Sequence, residues 1–395
     1  MTAEDPIVVA GMARTPMGGL LGELAPLSAH ELGTIAIKAA LERAGVAAAD
    51  VGETLMGCVL PAGQGQAPAR QAAKGAGIPD EVGAVTLNKM CGSGMKTVMM
   101  GHDSILAGSN AVVVAGGMES MTNAPYLLPK ARGGYRLGHG EVKDHMFLDG
   151  LEDAYDPGRL MGSFAEETAT HYQFTREDQD SYAIESLSRA QRASEDGSFA
   201  EEIVAVGYAT KKGEVTVETD EQPRKARPDK IPQLKPAFAR DGTVTAANAS
   251  SISDGAAALV LMRRSEAEKR GLKILAEIKG HAGHAQAPAW FTTAPVAAID
   301  KLLERVGWKT GDVDLWEVNE AFAVVPMAAM KEHGIGHDVM NVNGGACALG
   351  HPIGASGARI LVSLINALQR NGGKRGVAAI CIGGGEATAV ALEVA

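Results

Sequence analysis

Aromatic residues are scarce: phenylalanine, tyrosine and tryptophan make up 4% of the 395 residues. That leaves little for a base-stacking platform, and a net charge of −10 makes the chain a poor ligand for a phosphate backbone. Nucleic acid is therefore not an expected partner. No apolar run reaches the length of a membrane span, so no membrane partner is expected either. Residues 1–12 carry neither a basic leader nor a long apolar core, which points to the cytoplasm. Cysteine is limited to Cys58, Cys91, Cys347 and Cys381. None belongs to a Cys-x-x-Cys pair, so a zinc site has little support, and reduced thiols are the better reading. The full Gly-x-Gly-x-x-Gly spacing of a dinucleotide loop is also missing, although Gly354-Ala355-Ser356-Gly357 has part of it.

Glycine, by contrast, is plentiful, at 49 residues. Two of the cysteines are set in it. One stands in Lys89-Met90-Cys91-Gly92-Ser93-Gly94, the other in Ala379-Ile380-Cys381-Ile382-Gly383-Gly384-Gly385. Gly350-His351-Pro352 lies in a third glycine-dense loop. Glycine lets the backbone approach a ligand closely, and a thiol in such a loop is accessible. The spacing implies one active site assembled from both ends of the chain, with the two cysteines at corresponding places in two similar halves.

The length allows a large core and two or three domains, and 46% apolar with 21% charged residues is ordinary soluble composition. Short apolar runs at 6–10, 84–88, 111–115, 313–318, 339–342 and 376–382 read as strands. The first is followed by an apparent turn from Gly11 to Pro16. Helical periodicity covers 28–44, 94–107, 296–306 and about 356–369. Ser28 with Glu31 forms a capping signal, and Gly45 and Gly307 are stops. The alternation predicts an α/β protein with a buried sheet. Val112 to Glu119 and Ala378 to Glu386 share a pattern of strand, glycines and glutamate, which reads as an internal duplication. Residues 120–245 differ in texture, being richer in charge, proline and glycine. They read as an insertion, with helices at 162–171 and 176–195, the second capped by Thr175 and Asp178.

Each candidate residue has two readings on its own. Cys91, between a strand and a helix start, is either a small buried residue or a thiolate favoured by the helix dipole. His351, held in a turn by proline, is either structural or a general base. Cys381 is either a core residue or a site residue beside the Gly383 amide, which is placed to bind an oxyanion. Asn319 either caps a helix or holds a water or carbonyl oxygen. Residues 223–240 carry Arg224, Lys225, Arg227, Lys230, Lys235 and Arg240, opposed only by Asp229. This is either a solvated loop or the place for a phosphate-bearing ligand.

Taken together, the motifs resemble the thiolase family across essentially the whole chain. The resemblance rests on Asn88 to Lys96, Gly116 to Met121, Gly242 to Ala246 with Asn248-Ala249-Ser250, and Asn319-Glu320-Ala321-Phe322-Ala323. It continues in Asn341 to Gly345, Gly350-His351-Pro352 to Arg359, and Cys381-Ile382-Gly383-Gly384-Gly385. The resemblance implies a duplicated five-layered α/β/α/β/α fold. Residues 1–120 with 246–272 would form the N-terminal half, 121–245 an inserted loop domain, and 273–395 the C-terminal half. It implies acyl transfer between acetyl-CoA, acetoacetyl-CoA and coenzyme A, in fatty acid metabolism, by a homotetramer of paired dimers. No metal or other cofactor is implied, coenzyme A being substrate and product. Cys91 would carry the acyl group and His351 would activate it. Asn319 would hold an oxyanion water, Cys381 would move the α-proton, and the amides of Cys91 and Gly383 would form an oxyanion hole. Ser250 and Arg224 match positions that contact coenzyme A.

The chain departs from the family pattern in places. Leu160-Met161-Gly162 stands where many acetyl-specific members have His-Met-Gly, at a position that meets coenzyme A or substrate. With the apolar Met146-Phe147-Leu148, this keeps a degradative 3-ketoacyl-CoA thiolase for longer chains as the alternative. Ala67 replaces a usual Asn, and Cys347 a usual aliphatic residue, with packing or a third thiol near the site as its roles. A thiolase-like coenzyme A or lipid-binding protein without catalysis is the remaining rival.

Overall fold

The computed structural model describes residues 5–394. The first half runs β1 (Ile7–Arg14), α1 (Ala29–Ala44), β2 (Glu53–Gly57), α2 (Pro68–Gly75), β3 (Gly83–Leu87), α3 (Ser93–Leu106) and β4 (Val112–Ser120). The chain then makes α4 (Met161–Tyr172) and α5 (Arg176–Glu195) before returning as β5 (Ser253–Arg263). The second half is β6 (Ala276–Ala285), α6 (Ala294–Val306), β7 (Leu315–Val318), α7 (Val324–His333), α8 (Ile353–Asn371), β8 (Arg375–Ile382) and β9 (Glu386–Glu393).

The strands line up as β7-β8-β9-β6-β1-β5-β4-β2-β3. Within that order, β1-β5-β4-β2 and β6-β9-β8-β7 have the same pairings: antiparallel, antiparallel, parallel. The two sets form one continuous sheet, joined among the described residues where Val8 and Val9 pair with Glu277 and Ala276. Side chains alternate across each strand. In β1, Val8 and Ala10 face the core under α1 and α2, while Ile7 and Val9 face α3 and α8. In β8, Ala378 and Ile380 face α8, while Val377, Ala379 and Cys381 face the core under α6 and α7. The layers are therefore α1/α2, sheet, α3/α8, sheet, α6/α7, the expected α/β/α/β/α order. Helix α8 lies between the sheets, with Ile353 to Leu368 all buried. Among the described residues, no helix is long and apolar enough to cross a membrane.

Three expectations need correction. The chain does not turn after residue 10. Strand β1 runs on to Arg14 through a bulge, and Gly11 serves helix packing instead, since a Cβ there would lie 2.4 Å from Ala40 O. No strand forms at 339–342. Met340 makes one parallel bridge to Trp316, and Asn341, at φ +48°, pairs with Val318 through its side chain. Its Oδ1 accepts from Val318 N and its Nδ2 donates to Val318 O, both at 2.9 Å, which are the bonds a neighbouring strand would make. The matched glycines of the two halves are not equivalent either. Gly116 and Gly117 lie inside β4, whereas Gly383 to Gly385 turn the chain from β8 into β9.

The capping boxes at Ser28/Glu31 and Thr175/Asp178 are both present, as expected. The segment between β4 and β5 is tied to β1 by Arg14. Its guanidinium forks onto Asp220 at 2.7 and 2.9 Å and bonds Glu202 at 2.5 Å, all without exposure to solvent. A bidentate, charge-assisted pair of this kind fixes orientation as well as distance.

Candidate active site

Small residues let the two central helices cross at their first turns. A Cβ on Gly94 of α3 would lie 2.8 Å from Ala358 N, and one on Gly357 of α8 would lie 2.4 Å from Met95 N. Both helix N-termini, with their positive dipole ends, thus meet at one place. Cys91 immediately precedes Gly92, the N-cap of α3, and His351 precedes Pro352, the N-cap of α8. Gly92-Ser93-Gly94 and Ala355-Ser356-Gly357 are the corresponding segments. In the second half, the counterpart of Cys91 is therefore Gly354 and that of Cys381 is Met118. The two cysteines do not occupy equivalent places, because the duplication is offset from the glycine match.

A cavity of about 410 Å³ opens over this crossing. Cys91, His351, Gly383, Ser250 and Leu160 all line it. Its other walls include Met90, Leu151, Met161 and Ile353, with Phe147, Phe238, Phe291 and Phe322, four of the chain's seven phenylalanines. Phe147 and Phe322 lie in segments singled out in the sequence, whereas Phe238 and Phe291 carry no recognisable motif. Leu160 stands at the N-cap of α4, and Phe238 packs so closely on Gly162 that a Cβ there would clash at 2.4 Å. Cys381 and Asn319 are buried and do not line the cavity.

Burial governs the titration of these groups. It pushes the Cys91 thiol up to about 11, against the amides of Gly383 and of Cys91 itself, which bond the sulfur and favour the thiolate. Desolvation thus opposes the thiolate that the helix dipole favours. Burial raises the Cys381 thiol well above its usual value, and a thiolate at the nearby Cys91 would add to this. Burial lowers His351 to about 3, with Arg359 contributing. The imidazole is therefore neutral near pH 7.

Its tautomer follows from the hydrogen bonds. Ser356 Oγ donates to Pro352 O at 3.0 Å, so it accepts from His351 Nδ1–H at 2.5 Å. Nε2 then carries a bare lone pair, and it is buried without a partner among the described residues. That is the form a general base needs. Replacing Ser356 by Ala removes the lock, and kcat is expected to fall on the order of 10-fold with KM little changed. Steady-state thiolysis with acetoacetyl-CoA measures it. Asn319 follows β7, and both its side-chain Oδ1 and Nδ2 are buried without a partner among the described residues. A buried amide in that state is poised for a water or an acyl oxygen.

Arg224 is not brought to the cavity. It is 45% exposed on its side chain and pairs with Glu23 at 2.6 Å. Arg227 and Lys230 of the same basic segment instead line a second cavity of about 240 Å³, which shares Ala246 and Ser251 with the first. Cys347 also lines it. Its thiol donates to Glu320 O at 3.7 Å, and burial with the Glu320 charge raises it well above its usual value. Glu320 itself accepts from Tyr182 Oη, Ser186 Oγ, Asn341 Nδ2 and Cys347 N at 2.8–3.0 Å, tying α5 to the loop before His351. One group with metal-ligand spacing, His102, Asp103 and His281, lies on α3 and β6 away from the cavity. Both imidazoles there share Asp103 Oδ1 as partner.

The family model described as thiolase, N-terminal domain, matches residues 7–265, and that described as thiolase, C-terminal domain, matches 272–394. The chain is 52% identical over 392 residues to acetyl-CoA acetyltransferase 2 of Arabidopsis thaliana, covering 98% of this chain and 97% of that protein. It is 47% identical over 389 residues to an acetyl-CoA acetyltransferase of Shinella zoogloeoides, covering 98% and 99%.

Proposed function

The chain belongs to the thiolase family, and from that premise we propose that it is an acetyl-CoA C-acetyltransferase. It reversibly condenses two acetyl-CoA to acetoacetyl-CoA and coenzyme A. The observation that carries this reading is the convergence of Cys91, His351 Nε2 and the Gly383 amide on one apolar cavity, with Cys381 beside Cys91.

In the first step His351 Nε2 takes the Cys91 proton as the sulfur attacks the thioester carbonyl. The negative charge on the carbonyl oxygen is met by the Cys91 and Gly383 amides. The carbon–sulfur bond to coenzyme A breaks, and the leaving thiolate takes its proton from Cys381. Cys91 now carries acetyl, His351 is an imidazolium and Cys381 a thiolate. In the second step Cys381 takes an α-proton from the second acetyl-CoA. The enolate oxygen is met by His351 Nε2–H and a water on the Asn319 amide. The enolate carbon attacks the acetyl carbonyl, and the Cys91 sulfur leaves with the proton from His351. Every group then returns to its starting protonation state.

The neighbouring cavity with Arg227 and Lys230 supports placing the phosphates of coenzyme A on the basic segment, with Ser250 and Ser251 along the path between. Leu160 and Phe147 in the wall favour one second reading, cleavage of longer 3-ketoacyl chains. Comparing thiolysis of acetoacetyl-CoA and 3-ketohexanoyl-CoA separates them. Acetyl transfer predicts kcat/KM about 10-fold or more higher for the shorter substrate. A preference of that size for the longer one contradicts it.

A further inference from the structure

We propose that Glu119 is a positioning residue that holds His351 in place for acyl transfer, an inference that rests on the reading above. Glu119 lies near the end of β4 and is fully buried. Its Oε2 accepts from Val59 N at 2.9 Å and Gly354 N at 2.8 Å. Its Oε1 accepts from Leu60 N at 3.1 Å and the Cys58 thiol at 3.5 Å. All four donors are neutral, so the carboxylate is held by amides and a thiol, not by a cation. Burial raises its pKa to about 7, against the amide bonds that favour the charged form.

The duplication shows that the fold alone does not require a carboxylate there. With the halves aligned on Ser93-Gly94 and Ser356-Gly357, the counterpart of Glu119 is Ile382, at the end of β8. Each of the two reaches the N-terminal end of the other half's central helix. A Cβ on Gly92 would lie 2.3 Å from Ile382 Cδ1, and one on Gly354 would lie 2.5 Å from Glu119 Oε2. An aliphatic side chain fills the place in one half, and a buried carboxylate fills it in the half that faces His351.

The groups held by Glu119 explain the difference. Gly354 is in the first turn of α8, just after His351 and Pro352. Val59 and Leu60 pack with Ile353, with Cys91 at the edge of the same cluster. One carboxylate thus fastens the backbone that presents the imidazole to the wall that borders the nucleophile. A general base displaced by a fraction of an ångström loses much of its effect.

The test is a cycle of Glu119→Gln, Ser356→Ala and the double variant, assayed by thiolysis of acetoacetyl-CoA. The Gln side chain keeps the shape but turns an NH2 toward donors that need an acceptor. It is expected to lower kcat about 10- to 100-fold with KM within about threefold. Because both residues act through His351, the double variant is expected to lose much less than the product of the single losses. A kcat within threefold of wild type would overturn the proposal, as would losses that multiply. If the Gln variant does not fold, Glu119→Asp, which keeps the charge but shortens the reach, carries the same cycle. An inactive wild type would sink the functional reading and this one with it. An active wild type matched by an active Glu119→Gln variant overturns only this inference.

Discussion

Replacing Cys91 by alanine is expected to lower kcat for thiolysis and condensation by roughly 10,000-fold or more, with no acetyl group retained by the protein. The size of the effect follows from the architecture of the site. Cys91 is the one thiol that lines the main cavity, with its sulfur bonded by the Gly383 amide and its own. Cys381 is buried behind it, and Cys347 lines the neighbouring cavity with its thiol turned to Glu320 O. Neither is placed to substitute. The Cys91 thiol is protonated at rest, because burial has raised it to about 11, and the neutral His351 has an unpartnered Nε2. The nucleophile is thus made during attack, and the alanine variant loses the bond-forming atom together with the proton that starts the sequence. Activity within about 10-fold of wild type would remove the acyl carrier from the mechanism.

Replacing Cys381 by alanine is expected to separate the two half-reactions. Cys91 and His351 remain, so the variant is expected still to accept an acetyl group from acetyl-CoA, more slowly because the leaving coenzyme A thiolate must take its proton from water. It lacks the group that takes the α-proton, and condensation is expected to fall about 100- to 10,000-fold, the range for loss of one acid–base group. Acetylated protein then accumulates, which intact mass detects directly. Burial holds the Cys381 thiol protonated, so it can give a proton to the leaving coenzyme A thiolate before it takes one. Condensation at the wild-type rate would transfer the proton shuttle to another group.

Features encoded locally are legible in the sequence. The capping boxes at Ser28 and Thr175 need only residues three positions apart, and they stand where the residue pattern places them. The Cys91, His351 and Gly383 loops announce themselves by glycine, and the fold brings all three to one cavity. What depends on distant partners is not legible. Gly11 reads as a turn, but α1 packs onto β1 there and only glycine fits beneath Ala40 and Ala44. Residues 339–342 read as a strand, yet Asn341 makes the strand-like bonds with its side chain. Arg224 stands in a basic segment, but its pairing with Glu23, far away in sequence, appears only in the fold.

The titration of Cys91 is the sharpest case. Sequence shows a cysteine before a helix, which argues for a low pKa. Only the packed structure shows how the surrounding protein desolvates the sulfur and so opposes the helix dipole. The phenylalanines behave similarly. Their scarcity excludes a stacking surface, but their convergence on the acyl cavity is a property of the fold. Glu119 is visible in the Gly-Gly-Met-Glu segment, and its weight comes from three backbone amides on two other segments.

Peptide-level mass spectrometry of the protein mixed with acetyl-CoA tests the acyl-carrier assignment most directly. The prediction is one acetyl group on the peptide containing Cys91, retained in the Cys381→Ala variant and absent from the Cys91→Ala variant. Acetyl on Cys381 or Cys347, or on the Cys91→Ala protein, would contradict it.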